Sequence, residues 1–412
     1  MALNDVFTKK QQEVLKEIRR EDWFISVLHG AVRSGKTYLN NFIFLMEIKR
    51  VSEIAAKKGV KNPMYILAGY SMSSIQDNVL TELSNVFGLT LKFDRYNSFE
   101  LFGVKIIQTT HGNKTGVGRI RGMTSYGAYI NEASLAVESV FEEIKTRCSG
   151  EGARIIADTN PDYPEHWLKK NYIDKAGENS DIREFQFTLD DNTFLDERYV
   201  RNLKAATPSG MFYDRSILGE WVSAKGIVYP DFDQKRDVVT TEIYQWWNAD
   251  EIICGVDWGY SHFGSIVVMA RFGMDWVLVA EYAEQFRDIN YWVDVARNVK
   301  ETYGRFGNIP FYCDSARPEH IDRFVQEGFN AQLADKSILS GIEMVARLMV
   351  ENHFKVIDGN CPQFMQEIYK YQWNDRNGMP LKENDDVMDA IRYAIYTHRH
   401  SAIEWNISPR LF

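Results

Sequence analysis

Gly30-Ala31-Val32-Arg33-Ser34-Gly35-Lys36-Thr37 fits the pattern G-x-x-x-x-G-K-[ST] in full. Its flanks agree: an apolar run from Phe24 to Leu28 reads as a strand before it, and an apolar stretch from Tyr38 to Ile48 reads as a helix after it. At such a turn the glycines Gly30 and Gly35 let backbone N–H groups, that of Ser34 among them, point inward onto phosphate oxygens. Lys36 sets a positive charge against the β and γ phosphates, and Thr37 offers a hydroxyl to Mg²⁺. The expectation is an α/β domain that binds ATP with Mg²⁺ and hydrolyses it. Arg33, inside the loop, stands where it can reach the γ-phosphate in cis; the plainer alternative is a solvated loop arginine.

Hydrolysis also needs a carboxylate at the end of a neighbouring strand, to hold the Mg²⁺ shell and orient the attacking water. Tyr126-Gly127-Ala128-Tyr129-Ile130-Asn131-Glu132-Ala133 supplies one. Glu132 is the expected catalytic base, the alternative being a glutamate that opens a helix, where the helix dipole favours it. The residue before it is Asn131 where an aspartate is usual, so Asn131 is expected to meet the metal's water shell as a neutral amide. Upstream, Gly116-Val117-Gly118-Arg119-Ile120-Arg121-Gly122 sets two arginines in a glycine-rich, mobile loop. Arg119 or Arg121 would reach a neighbouring subunit's nucleotide as a finger in trans, clamp a DNA phosphate, or stand in solvent. Near the start, Phe7-Thr8-Lys9-Lys10-Gln11 puts an amide behind an aromatic ring, a pair able to read adenine's edge and stack on its face; a helix start at Thr8 accounts for the same residues.

With 412 residues the chain exceeds one ordinary core. Up to about Trp221 short apolar runs alternate with amphipathic stretches, with strands expected from Ile25 to Leu28, Met64 to Leu67, Ala128 to Ile130 and Ile155 to Ala157. The segment around Gly226 and Pro230 lacks helical period and reads as a linker. The expected division is 1–222, linker 223–237, and 238–412. Hydrophobic residues are 45% and charged residues 25%, ordinary for a soluble chain, and no stretch approaches the ~18 apolar residues of a membrane span. Met1-Ala2-Leu3-Asn4-Asp5 lacks the features of a secretory leader, so a cytoplasmic protein without membrane contact is expected. Cys148, Cys254, Cys313 and Cys361 have no metal or redox spacing, and three of them, in apolar or strand-like contexts, read as buried reduced thiols. A net charge of -9 argues against coating nucleic acid through bulk electrostatics and leaves room for local basic patches.

The second half opens with three strands, Ile252 to Val256, Ser265 to Phe272 and Trp276 to Tyr282, the last two joined at Gly273-Met274-Asp275 as a hairpin. A helix carrying Ile289, Trp292, Val293, Ala296 and Val299 follows, so a sheet of mixed direction is expected. Asp257 ends the first of these strands, and Asp314 stands likewise after Phe311-Tyr312-Cys313. On a helix beginning near Asn384-Asp385, Asp386 and Asp389 share a face, where like charges repel and a cation between them would explain the pair. Such carboxylates form the oxygen-rich site that holds two Mg²⁺ or Mn²⁺ about 3.5–4 Å apart and cleaves phosphodiesters, the plan of a ribonuclease H-like fold. Each aspartate alone is more simply a turn former or helix cap. Glu281 is a weaker fifth candidate, an outward or salt-bridged strand residue being the simpler account.

A P-loop ATPase of RecA/ASCE-like type followed by an acidic nuclease resembles the large terminase subunit of tailed bacteriophages over nearly the whole chain. The resemblance rests on His29 to Thr37, Ile130-Asn131-Glu132-Ala133, Asp158-Thr159-Asn160-Pro161, Gly219-Glu220-Trp221, Val256-Asp257-Trp258-Gly259, Cys313-Asp314-Ser315-Ala316 and Asp386-Val387-Met388-Asp389-Ala390. It implies a viral DNA-packaging motor in the host cytoplasm, in which ATP hydrolysis drives double-stranded DNA into the procapsid and Asp257, Asp314 and Asp389 cut it. It also implies that Thr159 and Asn160 couple hydrolysis to movement. Implied partners are duplex DNA, the portal protein, a small terminase subunit and four further copies in a pentameric ring. The chain is similar to SPP1-like and PBSX-like large subunits, some of which carry a histidine where Asp386 stands, so metal binding by Asp386 itself stays open. The alternative is an ATPase of helicase or repair type that clamps or remodels DNA, its nuclease-like domain inactive.

Overall fold

Fully buried apolar runs make the centre of the first sheet: β1 (Ile25–Gly30), β2 (Met64–Gly69), β5 (Gly127–Ile130) and β6 (Arg154–Thr159) are hydrophobic on both faces, as parallel strands covered by helices must be. The computed structural model describes residues 5–407 apart from 21, 178, 224, 375 and 376, so the expectation at Met1 to Asn4 lies outside the described residues. With β3 (Phe99–Leu101), β4 (Val104–Thr110) and β7 (Ile182–Phe187) the sheet order is β3-β4-β2-β5-β6-β1-β7. All pairings are parallel except β3 with β4. One strand, β6, therefore stands between the loop-bearing β1 and the Glu132-bearing β5, which is the RecA/ASCE arrangement expected. Helices α1 (Lys9–Arg20) and α2 (Lys36–Lys58) cover one face, with Val14, Ile18, Leu39, Ile43 and Phe44 packed on Leu28 and Tyr65.

The second sheet contains β8 (Val238–Val239), β9 (Glu251–Asp257), β10 (Gly264–Phe272), β11 (Asp275–Glu284), β12 (Pro310–Cys313), β13 (Asn330–Leu333) and β14 (Phe354–Ile357), in the order β13-β12-β9-β10-β11-β14-β8. β9, β10 and β11 pair antiparallel and the outer strands pair parallel, the mixed sheet of a ribonuclease H-like domain. The hairpin closes at Gly273-Met274, where Gly273 takes φ 62°. The helix Ile289–Thr302 buries Trp292, Val293, Val295, Ala296 and Val299.

The chain divides into two units, Met1–Arg201 with Tyr213–Ser223, and Asn202–Phe212 with Ala224–Phe412. Much of the stretch read as a linker belongs to the second unit. Ile227 bridges Gln372, Val228 and Tyr229 are buried, and Asp237 is buried in an ion pair with Lys355 at 2.9 Å. These residues follow neither helical nor strand period, which is why their burial left no trace in the sequence pattern. All four cysteines are buried and free. Among the described residues no helix is long and apolar enough to cross a membrane.

Candidate nucleotide and metal sites

The loop from Gly30 ends β1 and turns into α2, with Gly35 capping the helix in the left-handed region at φ 87°. The Lys36 ammonium is buried and donates to the carbonyls of Gly30 at 2.9 Å and Ala31 at 2.6 Å, to Ser34 Oγ at 3.3 Å and to Asn160 Oδ1 at 3.2 Å. Burial lowers its pKa to about 8, against the opposing charge of Asp158. A pocket of about 460 Å³ opens over the loop, lined by Arg33, Ser34, Gly35, Lys36 and Thr37 and, from the neighbouring strand ends, by Glu132, Asp158, Thr159 and Asn160. Arg33 and Glu132 both adopt left-handed backbone, φ 59° and 56°, a conformation costing a residue with a side chain about 1–2 kcal/mol. That strain falls on the two residues expected to act on the γ-phosphate.

Burial, and next the Asp158 carboxylate, hold the Glu132 carboxyl above the ordinary glutamate range. Thr159 Oγ1 accepts the Ser134 N–H at 2.9 Å and meets Ser134 Oγ at 2.6 Å. The two expected coupling residues thus touch both sides of the site, Thr159 the turn after Glu132 and Asn160 the Lys36 ammonium.

Asn131 departs from its expected place. It is 1% exposed and does not line the pocket; its Nδ2 donates to Asp158 Oδ1 at 2.8 Å, its Oδ1 accepts from Asn78 Nδ2 at 3.0 Å, and its carbonyl accepts from His111 at 2.7 Å. Asp158, on β6, lines the pocket, as do the carboxylates of Glu132, Asp77 and Glu82. Its Oδ1 accepts from Asn131 and from the Glu132 N–H at 3.1 Å, and its Oδ2 from Tyr129 at 2.8 Å. The sequence displayed Asp158 as a strand-end aspartate, the same signal that singled out Asp257 and Asp314. The hydroxyl of Thr37 and the carboxylates of Glu132 and Asp158 are hard oxygen donors, the set Mg²⁺ takes.

Gln11 is buried, its Nε2 donating to the Gly35 carbonyl at 3.0 Å and its Oε1 accepting from the Thr8 N–H at 2.9 Å. It braces the loop and edges a second, more apolar pocket of about 690 Å³ lined by Tyr38, Phe42, Phe87 and Phe194. Phe7, expected as a stacking ring, is instead core, packed on Tyr38 and Phe42. Arg119 and Arg121 are exposed and do not line the pocket over the loop. Their segment is pinned rather than loose: Lys114–Arg119 is a 3-10 helix with Gly116 and Val117 buried, and Thr109 donates to the Gly116 carbonyl at 2.7 Å. Behind the loop, Trp221 Nε1 donates to His29 Nδ1 at 3.2 Å and His29 Nε2 faces Glu184 at 2.8 Å.

In the second unit Asp257 ends β9 and Asp314 follows β12, which runs parallel to β9, so both carboxylates emerge at one sheet edge. The helix Asp386–Ile407 reaches them because Gly255 lets it lie on the strand; a Cβ at 255 would stand 1.8 Å from the Ala390 carbonyl oxygen. Ser265 Oγ donates to the Asp386 carbonyl at 2.8 Å, and Glu367 accepts the N–H groups of Val387 at 2.8 Å and Met388 at 3.3 Å, satisfying the open helix end. Burial, then the charges of Asp389, Asp314, Asp386 and Asp385, push the Asp257 carboxyl well above the usual range. Asp385 is pushed up to about 6 by burial, Asp389 and Asp386.

The ligand atoms of Asp257, His262 and Asp386 lie within 4.8 Å of one another, a mixed oxygen and nitrogen set that suits Mn²⁺ as well as Mg²⁺. His262, five residues after Asp257, went unread because a lone histidine carries no pattern. Its Nδ1 stands 2.7 Å from Asp386 Oδ1. Asp314 pairs with Lys336 at 2.5 Å, and Asp389 with the buried Arg392 at 2.8 Å. Glu281 is no part of this group: it accepts the N–H groups of Gln363 and Phe364 and caps the helix Pro362–Glu367.

A family model described as the N-terminal part of the T4likevirus-type terminase large subunit matches residues 27–236. The large terminase subunit of Salmonella phage P22 is 43% identical over 63 residues, 15% of this chain, and that match spans only 12% of the relative's length. The large terminase of a thermophilic bacteriophage superposes with a TM-score of 0.80 at 25% identity, over 95% of this chain and 98% of that one. The same phage protein has also been solved in complex with ATP-gamma-S, and that structure matches with a TM-score of 0.76, 25% identity and coverage of 95% and 98%.

Proposed function

Since the chain belongs to the large terminase subunit family of phages, we propose that it is the ATP-driven motor and nuclease of a DNA-packaging machine. The observation that carries this reading is the convergence of Lys36, Thr37, Glu132, Thr159 and Asn160 on one pocket. ATP lies with its phosphates in the loop from Gly30 to Thr37. Lys36 leaves the carbonyls of Gly30 and Ala31 for the β and γ phosphate oxygens, and Thr37 offers its hydroxyl to Mg²⁺, which when bound neutralises phosphate charge. Glu132 takes the proton of the attacking water, helped by a carboxyl that burial and Asp158 hold above the ordinary glutamate range. Arg33 stabilises charge on the γ-phosphate in cis.

Coupling follows from the contacts of Asn160 and Thr159. When Lys36 turns to phosphate it releases Asn160, and Thr159 carries the change to the turn after Glu132. Gln11 holds the loop, and adenine occupies the apolar pocket beside it. In the second unit Asp257, Asp386 and His262 hold divalent cations, which when bound activate water and stabilise the leaving oxygen. Asp314 and Asp389 complete the acidic site, and Lys336 and Arg392 hold them in place. Arg119 and Arg121 serve duplex DNA or a neighbouring subunit in a ring of five on the portal, with a small terminase subunit choosing the DNA. With a net charge of -9 the chain grips DNA through local basic groups and the assembled ring. The test is phosphate release with and without duplex DNA or procapsids, alongside Mn²⁺-dependent cleavage of plasmid. A chain with neither activity overturns the reading.

A further inference from the structure

We propose that Asp158, on the strand beside the one that carries Glu132, supplies the carboxylate for the Mg²⁺ shell of the bound nucleotide, the charge that Asn131 lacks. This rests on the ATPase reading above and names the residue that completes it. A motor site needs an anionic oxygen near the loop hydroxyl, and position 131 offers none. The amide there is neutral, does not line the pocket, and has both ends committed, Nδ2 to Asp158 and Oδ1 to Asn78, whereas Asp158, though only 2% exposed, does line it. Even its backbone carbonyl is taken by His111.

Asp158 meets the requirement on three counts. It lines the pocket together with Thr37, Lys36 and Glu132. It carries three donors, two on Oδ1 and one on Oδ2, while a carboxylate offers about four acceptor sites. The remaining site lies on Oδ2, so the residue is oriented firmly and still able to accept one more hydrogen bond, such as one from a water in the Mg²⁺ shell. Its negative charge also acts on Lys36, the residue that meets the phosphates. The carboxylate has therefore moved one strand towards the loop, from β5 to β6, and Asn131 has become the donor that aims it.

The experiment measures affinity for a fluorescent ATP analogue with and without Mg²⁺, in the full-length chain and in Asp158→Asn, with a melting curve on each sample. Expected is that Asp158→Asn loses about tenfold to a hundredfold of the Mg²⁺-dependent part of affinity, the scale of a charge-assisted hydrogen bond, while affinity without Mg²⁺ changes by less than about threefold. Equal losses with and without Mg²⁺ would mark a structural role and overturn the inference. A second variant does not remove the buried carboxylate. Asn131→Asp restores the usual residue, yet removes the donor that aims Asp158 and sets a second carboxylate against it, and is expected to weaken the Mg²⁺ dependence. A clear gain there returns the role to position 131. If the unaltered chain binds no nucleotide, the ATPase reading itself fails; if it binds with Mg²⁺ dependence and Asp158→Asn does the same, only the assignment of Asp158 fails.

Discussion

Asp158 in the first unit is met by three hydrogen-bond donors within 3.1 Å and by the nearby Lys36 ammonium, whereas Asp257 in the second faces the charges of Asp389, Asp314, Asp386 and Asp385. Asp257 ends, and Asp158 stands one residue before the end of, an interior strand of a seven-stranded sheet. In the first unit the donors and Lys36 oppose the cost of the Asp158 charge without cancelling it, since burial still holds that carboxyl above the usual range, while the hydrogen bonds fix its orientation. The metal site gathers like charges and leaves much of the balance to cations. Two acidic clusters with different surroundings therefore sit in the same chain, and they should answer differently to charge removal, to chelation and to pH.

The largest effect tests the first site. Glu132→Gln should slow phosphate release by about 10²–10⁴-fold, the usual contribution of a positioned base, while nucleotide affinity stays within a few-fold. Near-normal turnover would take Glu132 out of the catalytic role. Next in size, Asp257→Asn should abolish Mn²⁺-dependent plasmid cleavage and the thermal stabilisation that Mn²⁺ gives, which for a bound ion at a hundredfold excess over Kd is about 2.7 kcal/mol. In EDTA the same variant should melt higher than the unaltered chain, because one of several crowded charges is gone. A lower melting point in EDTA would break the contrast between the sites.

The third prediction concerns pH in the chelated protein. Burial and neighbouring carboxylates raise Asp385 to about 6, and burial raises Glu367 to about 7. A carboxyl with a raised pKa in the folded state contributes stability that is complete below its unfolded pKa and is lost as pH rises through the folded value. Calorimetry in EDTA should show the second unit losing stability between about pH 4 and pH 7 through these groups, and added Mn²⁺ should flatten that slope. A metal-free unit that gains stability over the same range would contradict the crowding. Smallest is Trp221→Phe, which removes the hydrogen bond to His29 behind the nucleotide loop. It should cost about 0.5–1.5 kcal/mol in denaturant unfolding of the first unit, with no change in the Mn²⁺ response of the second.

The strands that were legible before the structure were those with uninterrupted apolar residues, such as Ile155 to Ala157, because burial on both faces needs them. β7 carries a weaker sign: only Glu184-Phe185-Gln186-Phe187 alternates, the short pattern of a half-buried strand, and its pairing with β1 identifies it. The stretch around Val228 and Tyr229 is illegible for a different reason, since irregular backbone buried against a distant segment at Tyr371-Gln372 has no period to detect. Gly255 is a signal that the sequence does carry. A glycine inside an apolar strand marks a close backbone approach, and here it admits the helix that brings Asp386 to Asp257.

The sequence by itself displayed the phosphate-loop pattern and placed Glu132 and the aspartates at the ends of apolar runs, because each is a local pattern of a few neighbouring residues. Which of those groups share a site was decided by the tertiary structure. Asp158 faces the pocket and Asn131 does not because β6 lies between β1 and β5, and His262 joins Asp257 and Asp386 because a loop and a helix meet at one sheet edge. Strand order and helix docking arise from burial shared between residues far apart in the chain, and no short stretch of sequence carries that information.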